Sequence, residues 1–121
     1  MTERKQVLIL DDSPTALAML EAALEGAGIQ PLLAGDLAEL ERRITEGPDL
    51  LVMDINLPEV YGDDVAAVLR HVRGLKVPIL LFSSMAEAEL ASRAEEAGID
   101  AYLSKTAGIH TFLARVRAML A

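Results

Sequence analysis

Asp49-Leu50-Leu51-Val52-Met53-Asp54-Ile55-Asn56-Leu57-Pro58 is the stretch that decides the fold. Four apolar residues run between two acids. A short continuous apolar run bounded by turn residues reads as a strand buried on both faces, the signature of a parallel sheet. The strand delivers Asp54 to its C-terminal end, where open α/β sheets bind their ligands. Pro58 prevents the chain from continuing as strand or entering a helix at once. Asp54 therefore sits at a sharp exit from a buried element.

The same pattern recurs on both sides. Val7 to Leu10 is an apolar run ending in Asp11-Asp12, and Ser13-Pro14 then reads as an N-cap and first helical residue. Leu17, Leu20 and Leu24 follow at helical spacing up to Gly28. A second strand is expected over Ile29 to Ala34, and Pro31 assigns it to a sheet edge because proline cannot donate to a ladder. Asp36 caps a helix with Leu37, Leu40 and Ile44 inward, ended by Gly47-Pro48. After Gly62, the residues Val65, Leu69 and Val72 line a third helix, closed by Gly74. Ile79 to Phe82 is a fourth strand ending in Ser83-Ser84.

The fourth helix, Glu87 to Ala97, has Leu90 as its one large apolar residue among alanines, so it gains less from packing and is expected to be the most mobile. Ala101 to Leu103 is a short fifth strand ending in Ser104-Lys105. Ile109, Phe112, Leu113, Val116 and Leu120 face inward from the last helix. Met19, Met53, Met85 and Met119 read as core or near-core fillers. Five strands alternating with five helices imply a doubly wound parallel sheet of flavodoxin-like α/β class. Its expected order is 2-1-3-4-5, in a single domain over residues 1–121.

Bulk properties narrow the function. The 121 residues, 52% apolar, suffice for a core without crosslinks, and the absence of cysteine excludes disulfides, thiolate nucleophiles and Cys-based metal sites. The polar start Met1-Thr2-Glu3-Arg4-Lys5-Gln6 lacks a signal-peptide segment, and no run is long enough to span a bilayer. A cytoplasmic domain without membrane contact is expected. The net charge of −8 argues against direct nucleic-acid binding and suits a divalent cation or a basic partner.

In the 2-1-3-4-5 order, the first and third strands are neighbours, about 4.8 Å apart. Asp11, Asp12 and Asp54 then end on one rim. Close carboxylates repel unless a proton or cation intervenes, and hard oxygens of this kind suit Mg²⁺. Paired acids in a loop are commonly just solvated. Here Ser13 already supplies the helix cap, and the third acid lies on the adjacent strand. Ser83 ends the next strand, and Lys105 ends the fifth, about 10 Å away across two strand spacings, a gap its stem can largely span. Such a rim could hold Mg²⁺ and a phosphoryl group, and an aspartate is a competent nucleophile toward phosphorus. His71 and His110 are isolated and read as surface or helix-end residues. Tyr61 reads equally as a partner contact or as loop packing.

These residues resemble the receiver domain of two-component response regulators, the class that includes the stand-alone chemotaxis regulator. The doubly wound fold of that regulator is itself a standard reference case. The resemblance rests on Asp11-Asp12, Asp54 with Pro58, Gly62, Ser83, Tyr102 and Lys105, and it covers Val7 to Leu120. It implies a signalling module, not an enzyme, although one that assists its own phosphorylation and dephosphorylation. Asp54 would accept a phosphoryl group from a sensor histidine kinase or phosphotransfer protein. Asp12 and Asp54 would ligate Mg²⁺ directly, Asp11 through water, and the Asn56 backbone carbonyl would complete the set. Lys105 and Ser83 would hold the phosphoryl oxygens. Ser83 and Tyr102 would then switch the partner-binding face made by the fourth helix, fifth strand and last helix.

The output partner is not legible, and the resemblance allows a monomer or a phosphorylation-dependent dimer. The end after the last helix suits a stand-alone protein or the first domain of a longer one. Thr106 follows Lys105 where the family usually has proline, leaving the bond between them cis or trans. Two alternatives compete. One is a receiver-like interaction domain that no longer uses phosphate. The other is a Mg²⁺-dependent phosphohydrolase with an aspartate nucleophile, disfavoured because Asn56 stands where that class places its general acid.

Overall fold

In the computed structural model, which describes residues 4–121, the apolar runs form five parallel strands. These are β1 (Gln6–Leu10), β2 (Gln30–Ala34), β3 (Leu50–Met53), β4 (Ile79–Ser83) and β5 (Ala101–Ser104). Their order is β2-β1-β3-β4-β5. Pro31 lies in β2, at the sheet edge, where a missing N–H breaks no ladder. The residues Met1 to Glu3, part of the polar start, lie outside the described residues.

Five helices connect and cover the strands: α1 (Pro14–Gly26), α2 (Leu37–Ile44), α3 (Gly62–Ala67), α4 (Glu87–Ala97) and α5 (Ile109–Leu120). Ser13 and Asp36 cap α1 and α2 through their side chains, accepting from the N–H groups of Ala16 and Glu39. Successive strand residues point to opposite faces, and the core divides accordingly. Leu8, Leu10, Leu51, Met53 and Leu81 pack with Leu40, Ala66, Leu69 and Leu90 beneath α2, α3 and α4. Val7, Ile9, Val52, Leu80 and Phe82 pack with Leu20, Leu24, Phe112 and Val116 beneath α1 and α5.

Two expected core positions fall outside the core. Val72 is 77% exposed, although Leu69 on the same expected face is only 2% exposed. The cause is a π-helical turn, Val68–Val72, that continues α3. Its wider turn breaks the 3.6-residue period on which the expectation rested and rotates Val72 outward. Arg70 in this turn donates to the carbonyls of Leu75 and Val77, fixing the chain that leads into β4. Met19 is also exposed. It lies one position before the buried Leu20, off the inward stripe of α1.

The alanine-rich α4 buries Leu90, Ala94 and Ala97. Polar ties to the α3 segment supplement this thin packing. Arg93 forms an ion pair with Asp63 at 3.1 Å and stacks its guanidinium 4.5 Å over the Tyr61 ring. At the other end, His71 Nε2 lies 2.9 Å from the carbonyl oxygen of Ala97. Gly98 closes α4 in the left-handed region at φ +69°, and a Cβ there would come within 2.6 Å of the His71 ring.

Candidate functional site

The site is assembled by the register of three parallel strands. Leu10 pairs with Met53, so the next residues, Asp11 and Asp54, leave β1 and β3 side by side. Two backbone bonds extend the ladder past the strands: Asp54 N–H donates to Leu10 at 3.0 Å and Asp11 N–H to Ala34 at 3.1 Å. The backbone of both acids is thereby fixed before the side chains make any contact. Asp54 retains 9% of its accessible surface and Asp11 2%, whereas Asp12 is exposed.

Carboxylate oxygens of Asp11, Asp12 and Asp54 all lie within 4.8 Å of one another. Lys105 reaches into this group from the far end of β5. Its Nζ donates to Asp11 Oδ2 at 2.7 Å and to Asp54 Oδ2 at 3.4 Å. The other oxygen of Asp11 accepts the Ser13 N–H at 2.9 Å, which turns the chain into α1. Asp11 is thus fully engaged by the protein, while Asp12 projects to solvent and Asp54 shares one cation.

Burial pushes the Asp54 carboxyl above its ordinary value. The Lys105 charge opposes this and the Asp11 charge adds to it, with burial dominant. Burial alone would lower the Lys105 ammonium, but the Asp11 hydrogen bond and the charges of Asp54 and Asp11 outweigh it, so Lys105 is raised. A cluster of hard oxygens carrying excess negative charge, with one carboxylate open to solvent, fits a divalent cation such as Mg²⁺.

Ser83 ends β4 fully buried, and its hydroxyl accepts the Met85 N–H at 3.3 Å. Tyr102 lies half-buried on β5 against the core beneath α4, and its carbonyl accepts from Arg115 of α5 at 3.0 Å. Asn56 is exposed and forms a bridge with Tyr61 that closes the loop after β3. Gly62 N–H donates to Ile55 at 2.8 Å within that loop. A Cβ at Gly62 would lie 1.8 Å from the Asp54 carbonyl oxygen, so only glycine allows this closure.

The described peptide bonds are all trans, including Lys105–Thr106. Thr106 sits in a short 3₁₀ turn, Lys105–Ala107, and donates its N–H to the Ser104 hydroxyl at 3.2 Å. A proline could not make that bond. Two features carry no signal in the sequence: the Arg93 contacts with Asp63 and Tyr61, and the Arg115 contact with Tyr102. Neither follows a periodic pattern, because the partners lie on separate elements.

Comparison with known proteins follows the same outline. The family model described as "Response regulator receiver domain" matches residues 7–117. The DNA-binding response regulator MtrA of Mycolicibacterium smegmatis is 34% identical over 120 residues, covering 98% of this chain and 52% of that protein. The transcriptional regulatory protein PrrA of Mycobacterium tuberculosis is 37% identical over 116 residues, covering 95% and 49% respectively. The chain therefore spans about half the length of these curated relatives. Among solved structures, a putative response regulator from Chloroflexus aurantiacus superposes with a TM-score of 0.86 at 30% identity over 98% of each chain. The chemotaxis protein CheY4 of Vibrio cholerae shares the fold, with a TM-score of 0.86 at 24% identity over 98% of this chain and 100% of that one.

Proposed function

Because this chain belongs to the response regulator receiver family, we propose that it is a single receiver domain over residues 1–121 that switches a partner-binding face when Asp54 is phosphorylated. The observation that carries this reading is the buried carboxylate of Asp54 at the sheet rim, 3.4 Å from the Lys105 ammonium and beside two further acids. The family implies a histidine kinase, or a phosphotransfer protein, as donor. An Asp54 oxygen attacks the phosphorus of a phosphohistidine. The O–P bond forms, the P–N bond breaks, and its electron pair returns to the donor imidazole.

Asp12, Asp54 and the Asn56 carbonyl would hold Mg²⁺, with Asp11 helping through water. When bound, the ion neutralises charge on the transferring phosphoryl oxygens. Lys105 stays within reach of those oxygens and gives up its closer contact with Asp11. Ser83 exchanges its bond to Met85 for one to the phosphoryl group and draws its loop inward. Tyr102 follows, changing the face of α4, β5 and α5. The phosphoryl group acts by binding one of two conformations better.

The domain is a signalling element without substrate turnover of its own beyond assisting phosphorylation and dephosphorylation. It acts in the cytoplasm as a monomer or a phosphorylation-dependent dimer. The charge of −8 supports output through protein contact and not through nucleic acid bound by this domain. None of the helices among the described residues is long and apolar enough to cross a membrane.

Incubation with acetyl phosphate and Mg²⁺, followed by peptide mass spectrometry, tests the reading. A phosphoryl adduct on Asp54, absent in Asp54→Asn, is expected. Beryllofluoride with Mg²⁺ is expected to shift amide resonances at Ser83, Tyr102 and α4. Absence of both effects would favour an interaction domain that does not use phosphate. Sustained hydrolysis of a chromogenic phosphate ester would favour a phosphohydrolase.

A further inference from the structure

On the same sheet face as α4, an open groove of about 690 Å³ runs between α2 and α3. Leu37 and Leu40 of α2 form one wall, and Val65 and Val68 on the α3 side form the other, with Leu57 and Tyr61 of the loop after Asp54 at one end. A second hollow of about 320 Å³ continues it over Leu57 and Val60 to Gly35 at the sheet rim. Exposed apolar residues gather here. Val68 is 48% exposed and Tyr61 51%. A cleft of this volume lined mainly by apolar side chains, with polar groups at its edges, is the form that binding sites take.

The charges at the edges identify the occupant. Glu41, Glu59 and Asp64 border the groove, and its one cationic lining residue, Arg73, is paired with Glu41. Glu59 and Asp64 have no ion-pair partner among the described residues. The α2 wall is eight residues long, about 12 Å or two helical turns. An apolar trough of this length, open to solvent and with net negative charge at its edges, matches helix-in-groove recognition.

We propose that the α2–α3 groove docks a basic amphipathic helix of a partner protein. Its apolar stripe lies on Leu37, Leu57 and Val68, and its flanking Lys or Arg residues meet Glu59 and Asp64. The groove meets α4 at Tyr61, beneath Arg93, but the proposal concerns the unphosphorylated domain and does not depend on the phosphorylation reading.

The test uses the unphosphorylated domain and two synthetic helical peptides, each about four turns long. Both carry the same leucine stripe, one flanked by lysines and the other by glutamates. Titration of ¹⁵N-labelled protein is expected to shift amides of α2 and of the segment from Leu57 to Arg73 with the lysine peptide. The glutamate peptide is expected to bind at least about tenfold more weakly. Val68→Lys, at an exposed position, is expected to weaken the lysine peptide about tenfold while leaving the melting temperature unchanged. If that variant is unstable, Glu59→Lys combined with Asp64→Lys gives the same readout. Shifts spread over the acidic surface, equal binding of both peptides, or a groove filled by a second copy in sedimentation experiments would each overturn the proposal.

Discussion

Lys105 contacts Asp11 more closely than Asp54, at 2.7 Å against 3.4 Å. The cation proposed to meet an incoming phosphoryl group is held at rest by a neighbouring acid. Lys105→Met leaves two buried acids without their shared cation. With Lys105 itself partly exposed, the expected loss of stability is about 1–2 kcal/mol. Urea unfolding checks it, and labelling by acetyl phosphate is expected to fall at least about tenfold.

The buried Asp54 makes stability depend on pH. Its folded value is raised, so the native state binds this proton more tightly than the unfolded chain does. The resulting stability is fully present below the ordinary value of 3.8 and is lost as pH rises through the folded value. Asp54→Asn, which has no such proton, is therefore expected to be more stable than the parent at neutral pH without divalent cations. The gap narrows on acidification toward that ordinary value. Thermal melts of both proteins across this range, with chelator present, decide it.

Millimolar Mg²⁺ is expected to relieve the repulsion among Asp11, Asp12 and Asp54 and to raise the melting temperature by a few degrees. Asp12→Ala removes an exposed side chain, so its own effect on stability stays within about 0.5 kcal/mol. Most of the Mg²⁺ gain disappears with it. Differential scanning calorimetry with and without the ion separates the two effects.

Gly62→Ala places a methyl 1.8 Å from the Asp54 carbonyl oxygen, a backbone atom that cannot turn aside. The loop after β3 must open, at an expected cost of about 3 kcal/mol or more. Beryllofluoride binding is expected to fall with it. Stability near that of the parent would mean that the loop closes in another way.

The π-helical turn gives a paired contrast. Val72→Lys is expected to change stability by less than about 0.5 kcal/mol because its side chain is in solvent. Leu69→Ala, three residues earlier, is expected to cost about 2–4 kcal/mol through the cavity it leaves. Similar costs for the two would contradict the outward rotation of Val72.

The parts of this molecule legible from sequence are those that follow from period and topology. Apolar runs such as Leu50 to Met53 announce buried parallel strands, and parallel strands collect their following residues on one rim. Topology alone therefore brings Asp11, Asp54 and Lys105 together, although 94 positions separate Lys105 from Asp11. Which acid Lys105 prefers is not legible, because it depends on tenths of an ångström in side-chain placement. The period misplaces Val72 because a π-helical turn leaves no mark in a pattern of apolar residues. The pairing of Arg93 with Asp63, 30 positions apart on neighbouring helices, depends on how those helices pack and not on local spacing.

The ties between α4 and the α3 segment bear on how that helix is held in place. Apolar packing resists in proportion to displacement, since parting two packed surfaces opens a gap between them. The polar ties act differently: with Asp63 buried, parting its ion pair with Arg93 strands a carboxylate away from water. A helix with few large apolar residues, tied near Tyr61 by Arg93 and at its C-terminal end by His71, is held against the α3 segment by two separate polar contacts. Each tie can be altered by a substitution that leaves the other in place.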